Sequence, residues 1–362
     1  MLEEQKTGGI YEVRQREFDP TATEEKDLGP LQDLPGLWMN VEKKDSLTDG
    51  RGWNLIALPF AQDGHPPYRL LMNQYNEQLR FTFVDDMVPN RGISFPPATQ
   101  DQFLVTLDYQ QTIAQKVAED DAGTPLAGGA DLAIHHEPGL FLHMLNQQTD
   151  DIDVARLATI PHGNAVTAIG KSRTYAGPPQ NIDTASSFPE GVLTPQQISD
   201  GVTIDAAVEA ATAESDYLHP YKKFTDAPFE GIFSAKTPFD TLKGALSLFD
   251  VAETTELRMT TELQMAGIHN IPFIERQADA NLMRSVFYIM RLNDTDKHGK
   301  QKMALAYTQF IFLDFLPRRD GEAGLIRWPH ISINVMEKVA EPCKKDPYMT
   351  DYLAKYMKGK KK

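Results

Sequence analysis

A succession of short β-prone runs, joined by connections that carry Gly, Pro, Asn or Asp, dominates residues 34–169 and constrains the fold more than any other feature. Eight such runs are read there: Trp53–Phe60, Tyr68–Asn73, Gln78–Val84, Gln102–Tyr109, Asp131–Glu137, Leu140–Leu145, Val154–Ile160 and Asn164–Ile169. Connections this short suit antiparallel neighbours and not βαβ crossovers. The pattern is clearest where Leu79, Phe81 and Phe83 alternate with Arg80 and Thr82, so that one face is apolar and the other polar. Residues 171–228 differ: a Pro/Gly/Ser-rich start leads into Ala- and Glu-rich sequence, which reads as an inserted lid or side excursion. A helix is expected over Thr237–Leu248, with Thr237 or Asp240 as N-cap and Leu242, Ala245, Leu246 and Phe249 on one face. Strands resume at Glu253–Leu263, Arg284–Arg291, Lys302–Phe315 and His330–Met336, the middle two forming a hairpin.

Twelve or so strands are too many for a small sandwich. They suit a mainly β fold, an antiparallel β-barrel of about ten to twelve strands with a helical excursion, closed so that no edge is exposed. Above eight strands, side chains no longer fill a barrel interior easily, so a cavity is expected. The domain plan is a tail over 1–33, one barrel domain over 34–345 interrupted at 171–228, and a short helix with a basic tail over 346–362. Two β-domains split at 171–228 also fit these runs.

Composition narrows the partners. Thirty-six Lys plus Arg against fifty-one Asp plus Glu leave a net charge of −15, which disfavours nucleic acid and anionic lipid surfaces. No long apolar run and no leader pattern is visible, so a cytoplasmic protein with no membrane partner is expected. The single cysteine, Cys343, agrees with a reducing compartment. Phosphate-loop, dinucleotide-fold, zincin and serine-hydrolase motifs are all absent.

The densest chemistry lies in Leu132–Met144, which contains His135, His136, Glu137, Pro138, Gly139 and His143. Read as a hairpin turning at Pro138-Gly139 with a two-residue loop, the segment puts His136 and His143 on one face and His135 on the other. A three-residue loop shifts the pairing and undoes that assignment. Imidazoles on a barrel wall can ligate a metal or a heme iron, or can be hydrogen-bonded wall residues without a ligand. Nearby, Pro161 and Gly163 frame His162, which then aims into a cavity mouth or caps a carbonyl in its turn. Arg156 is either outward-facing, the reading preferred here, or a buried cation with a carboxylate partner. Glu275, Arg276 and Asp279 could clamp a propionate or polarise a peroxide, or form an exposed ion-pair network. Trp328 and His330 stand at the start of the last strand, where the indole could pack on a flat ligand.

Gly36-Leu37-Trp38 resembles the Gly-x-Trp opening of the lipocalin and fatty-acid-binding superfamily, in which the tryptophan plugs the barrel base. Three longer stretches, His135–Met144, Ala155–Val166 and Ile271–Ala280, resemble lipocalin-like proteins described as heme-binding or peroxidase-like. The resemblance spans roughly Leu34–Met336 and implies a heme in the barrel. Combined with the residues, it makes His136 or His143 the proximal iron ligand, His162 the distal base and Arg276 the cation of a peroxidase-like oxidoreductase, with His330 and Trp328 against the cofactor. A small apolar or planar ligand is the expected partner. A non-catalytic carrier of lipid, terpenoid or pigment, and a heme-free His/Glu acid–base isomerase or cyclase, are the alternatives.

Overall fold

A computed structural model describes residues 28–340 apart from 45, 95–97, 100, 122 and 147–150. The rest of the expected N-terminal tail, the expected C-terminal helix and Cys343 lie outside the described residues. The described residues form fourteen strands: β1 (Gly36–Met39), β2 (Gly52–Pro59), β3 (Tyr68–Asn90), β4 (Ile93–Ser94), β5 (Ala98–Thr99), β6 (Gln102–Asp120), β7 (Ala133–Met144), β8 (Val154–Ile160), β9 (Asn164–Ala176), β10 (Val251–Thr260), β11 (Gly267–Asn270), β12 (Asp279–Thr295), β13 (Gln301–Pro317) and β14 (Leu325–Ala340). Neighbours pair antiparallel in the order β14-β13-β12-β10-β9-β8-β7-β6-β3, and β1 and β2 each bridge β3 to β14. β1 pairs with Gln78–Phe81 and β2 with Tyr68–Tyr75, so the two lie in tandem along β3 and share the tenth position of a closed barrel. Closure satisfies the backbone groups that an open edge would leave unpaired.

Several expected strands merge. Tyr68–Asn73 and Gln78–Val84 are one strand, and Tyr75-Asn76-Glu77 is not a turn: Asn73, Tyr75 and Glu77 continue the inward alternation that Leu79 and Phe81 extend. The hairpin at Pro138-Gly139 is likewise corrected, because β7 runs straight through both residues with unbroken pairing to β6 from His135 to Met144. Pro138 is tolerated where the partner on the other side gives out, since pairing with β8 begins at Gly139. Gly139 serves close approach and not reversal. A β-carbon there would stand 2.1 Å from the Leu157 carbonyl oxygen and 2.6 Å from the Tyr109 ring.

Residues 177–250 form the excursion and carry α1 (Pro195–Ser199), α2 (Ile204–Ala210), α3 (His219–Asp226) and α4 (Pro238–Leu246). α4 buries Leu242, Ala245 and Leu246, as the helical spacing required. The excursion covers the outside of the barrel, packing Phe188, Tyr221, Phe224, Phe233 and Phe239 against outward residues of β2, β3 and β12–β14 such as Trp53, Tyr68 and Ile333. It is therefore a side layer and no lid. Its presence explains why the outward residues Tyr68, Leu70 and Met72 are the buried ones at the start of β3, with the buried face changing at Met72-Asn73.

A second cluster fills the lower half of the interior, with Trp38, Leu79, Phe81, Leu107, Phe141, Phe287 and Met336 in mutual contact. A short 3₁₀ turn over Gly29–Leu31 closes the base, burying Leu28, Leu31 and Leu34, and Trp38 donates its indole N–H to the Leu34 carbonyl at 2.8 Å. The upper half is hollow.

Candidate functional site

The hollow is a cavity of about 440 Å³ above the packed base. Its walls are apolar, with Ile56, Leu58, Leu71, Ile113, Ile160 and Leu313 among them, and its polar groups include Asn73, Tyr75, Gln111, His135, Tyr307, Gln309, His330 and Ser332. The mouth is framed by Leu126 and Leu132 from the β6–β7 connection, by the β8–β9 turn with His162, and by Ile274 of α5 (Pro272–Gln277). Among the described residues no Lys or Arg lines the cavity, and no lining residue comes from residues 177–250.

Because β7 is continuous, alternation turns His135, Glu137, Phe141 and His143 inward and His136 outward. His136 and His143 thus lie on opposite faces, which corrects the pairing expected from a hairpin. His136 is exposed. His143 sits at the base, its Nδ1 3.0 Å from the Asp153 carbonyl and its ring against Gly29, away from the cavity lining. His135, His162 and His330 are the histidines that face the cavity. The His135 and His162 rings lie 6.3 Å apart between centroids. Burial lowers the His162 pKa below the ordinary imidazole value, and the nearby His135 adds to the shift. Burial, reinforced by His135 and His162, brings His330 down to about 3, so it is a neutral imidazole at physiological pH. Among the described residues its Nε2 has only the Ser332 hydroxyl, at 3.4 Å, as a hydrogen-bond partner.

Trp328 does not reach the cavity. It stacks on Phe315 at 4.9 Å, meets Tyr68 at 4.3 Å, and donates its N–H to the Phe315 carbonyl beneath the excursion. Arg276 is exposed on α5, as is Glu275, and neither lines the cavity. The cation inside the barrel is instead Arg156, which corrects its outward assignment. Val154, Arg156 and Ala158 face inward from β8, and Arg156 is 2% exposed.

Side chains from four other strands complete this buried cation. Arg156 Nη2 donates to Glu137 Oε1 at 2.5 Å from β7, and its Nε to the Tyr109 hydroxyl at 3.1 Å from β6. Its Nη1 donates to Ser285 Oγ at 3.1 Å from β12 and to Gln309 Oε1 at 2.8 Å from β13. The Tyr109 hydroxyl in turn donates to Glu137, whose other oxygen meets His135 Nε2 at 3.2 Å. Burial pushes the Glu137 carboxyl up, but the Arg156 guanidinium, with His135 and Tyr109, overrides that and holds it at about 2. A second buried carboxyl, Glu77, accepts from Tyr307 at 2.6 Å, Gln111 at 2.7 Å and Asn334 at 2.8 Å. Its burial is not fully offset by these bonds, and its pKa is raised.

Residue reading alone missed this polar layer. Asn73, Tyr75, Glu77, Gln111, Tyr307 and Gln309 carry no motif; the available signal was polar residues recurring every second position inside otherwise apolar strands. Among the described residues no three His, Cys, Asp or Glu side chains converge as a metal site, and no helix is long and apolar enough to cross a membrane.

No protein-family model matches the chain, and no curated protein matches it. Among solved structures, the crystal structure of Rv2717c from M. tuberculosis is similar with a TM-score of 0.34 and 11% identity, over 86% of this chain and 97% of that one. A likeness at that level carries no functional argument.

Proposed function

We propose that this barrel binds a small, predominantly apolar molecule, polar group inward, in its upper cavity. The observation that carries the reading is the 440 Å³ hollow with aliphatic walls and a few converging polar groups, within the size range of small-molecule sites. Aliphatic walls remove the body of the guest from water, and the polar layer orients it. An environment-sensitive apolar fluorophore, N-phenyl-1-naphthylamine, is expected to brighten on mixing with the protein. Leu71 points into the hollow and belongs to neither packed cluster, so Leu71→Trp should fill the space and weaken uptake at least about tenfold. Its urea midpoint should stay close to that of the parent. No brightening, or undiminished uptake by a folded Leu71→Trp variant, would refute the reading.

The three cavity-facing imidazoles support a second reading, in which the guest is heme. Neutral imidazole is a good iron ligand, and His330 is neutral with little competing hydrogen bonding. His330, His135 or His162 would hold the iron; His136 and His143 do not face the space. Bound heme would supply redox chemistry. A distal base of the peroxidase kind is available in His162, but its companion cation is not, because Arg276 lies outside the cavity. Hemin titrated into the protein is expected to give a Soret band that shifts in at least one of the single variants His135→Ala, His162→Ala and His330→Ala. Identical bands in all three would remove heme ligation by these residues.

A further inference from the structure

The buried ion pair does more than neutralise itself. Glu137 is a carboxylate held ionised by Arg156, and its free oxygen faces His135 Nε2 at 3.2 Å. An ionised carboxylate can only accept, so a His135 ring that carries a single proton carries it on Nε2. Its Nδ1, without a protein partner among the described residues, is then a lone-pair acceptor on a residue that lines the cavity.

The other end of the pair acts in the same way with the opposite sign. Arg156 Nη1 can only donate, so the oxygen of the Gln309 side chain, and not its nitrogen, occupies the 2.8 Å contact. The amide orientation is thereby settled by the guanidinium and not left free to flip. The Gln309 NH₂ has no protein partner among the described residues, and Gln309 also lines the cavity. A single guanidinium–carboxylate pair therefore fixes one acceptor and one donor, on β7 and β13, facing the same space.

Charge selects further. Among the described residues no Lys or Arg lines the cavity, and a second carboxyl, Glu77, is buried just beneath Tyr307. An anionic head group would enter without a counter-ion and lose its hydration. Resting on the small-molecule reading above, we infer that the cavity recognises a neutral head group carrying both a hydrogen-bond acceptor and a donor, of the primary-amide type, which accepts from the Gln309 amide and donates to His135 Nδ1. Glu137 and Arg156 are positioning residues in this site and do not touch the guest.

Displacement of N-phenyl-1-naphthylamine from the full chain at pH 8 tests this with three probes of equal chain length: dodecanamide, N,N-dimethyldodecanamide and dodecanoate. Dodecanamide should compete at about tenfold lower concentration than either of the others, one lacking the donor and the other charged. Gln309→Met should weaken both amides, whereas His135→Phe should erase the difference between them. Equal or better competition by dodecanoate overturns the inference even if both variants fail to fold, because it is read on the unaltered protein. Failure of all three to compete, with the fluorophore retained, overturns the inference and leaves the cavity reading standing. Failure of the fluorophore itself to bind removes both.

Discussion

Replacing Arg156 by methionine should lower stability by about 3–5 kcal/mol, because the Glu137 carboxylate is left buried without its counter-ion. Tyr109, Ser285 and Gln309 lose their shared donor at the same time. The double variant Arg156→Met/Glu137→Leu should recover much of the loss, since it buries neither charge. Urea unfolding of the two single variants and the double closes a thermodynamic cycle. A double variant no more stable than Arg156→Met would show that the pair is not the source of the cost. The pH dependence has a definite sign. Glu137 is held at about 2 in the fold against an ordinary 4.5, so its contribution is complete above 4.5 and is lost as pH falls towards 2. In the Glu137→Leu background, that part of the acid loss should vanish.

The second large effect is expected at a glycine. Gly139→Ala places a methyl group 2.1 Å from the Leu157 carbonyl oxygen, a backbone atom that cannot rotate away, and 2.6 Å from the Tyr109 ring. The β7–β8 seam must spread or Tyr109 must turn, and Tyr109 is the residue that bonds both Arg156 and Glu137. A loss of about 3 kcal/mol in urea unfolding is expected, at the upper end of overpacking costs. Gly267→Ala is the control for backbone entropy within a strand, where no atom lies within 4 Å of the new carbon and φ is not positive. If Gly139→Ala costs no more than Gly267→Ala, close approach is not what requires glycine at the seam.

These sites show where residue reading succeeds and where it stops. Leu79, Phe81 and Phe83 lie in the interior as their alternation requires, and the strands around Val154–Ile160 and Lys302–Phe315 lie where their β-prone runs stand. The turn reading failed at two places for one reason. Tyr75-Asn76-Glu77 and Pro138-Gly139 have turn-forming composition, yet both lie within strands long enough to span the barrel. Polar side chains inside a strand are tolerated when other strands hydrogen-bond them, as Gln111, Tyr307 and Asn334 do for Glu77. That compensation is invisible from the segment itself. Of the histidines singled out, His162 and His330 reach the cavity, while His136 and His143 were placed by a loop length that does not exist.

What the residue order determined by itself is the strand-rich architecture, because side chains of period two and short connections leave an antiparallel sheet few alternatives. It also marked the helical interruption, whose Ala-rich composition breaks that period. Tertiary structure decided which face looks inward on the strands that the excursion covers, since there the outer face carries a second apolar layer. It also decided which polar groups meet. Glu137, Arg156 and Gln309 are distant in the chain and belong to three strands, and only the register of closure brings one carboxylate, one guanidinium and one amide within hydrogen-bond reach.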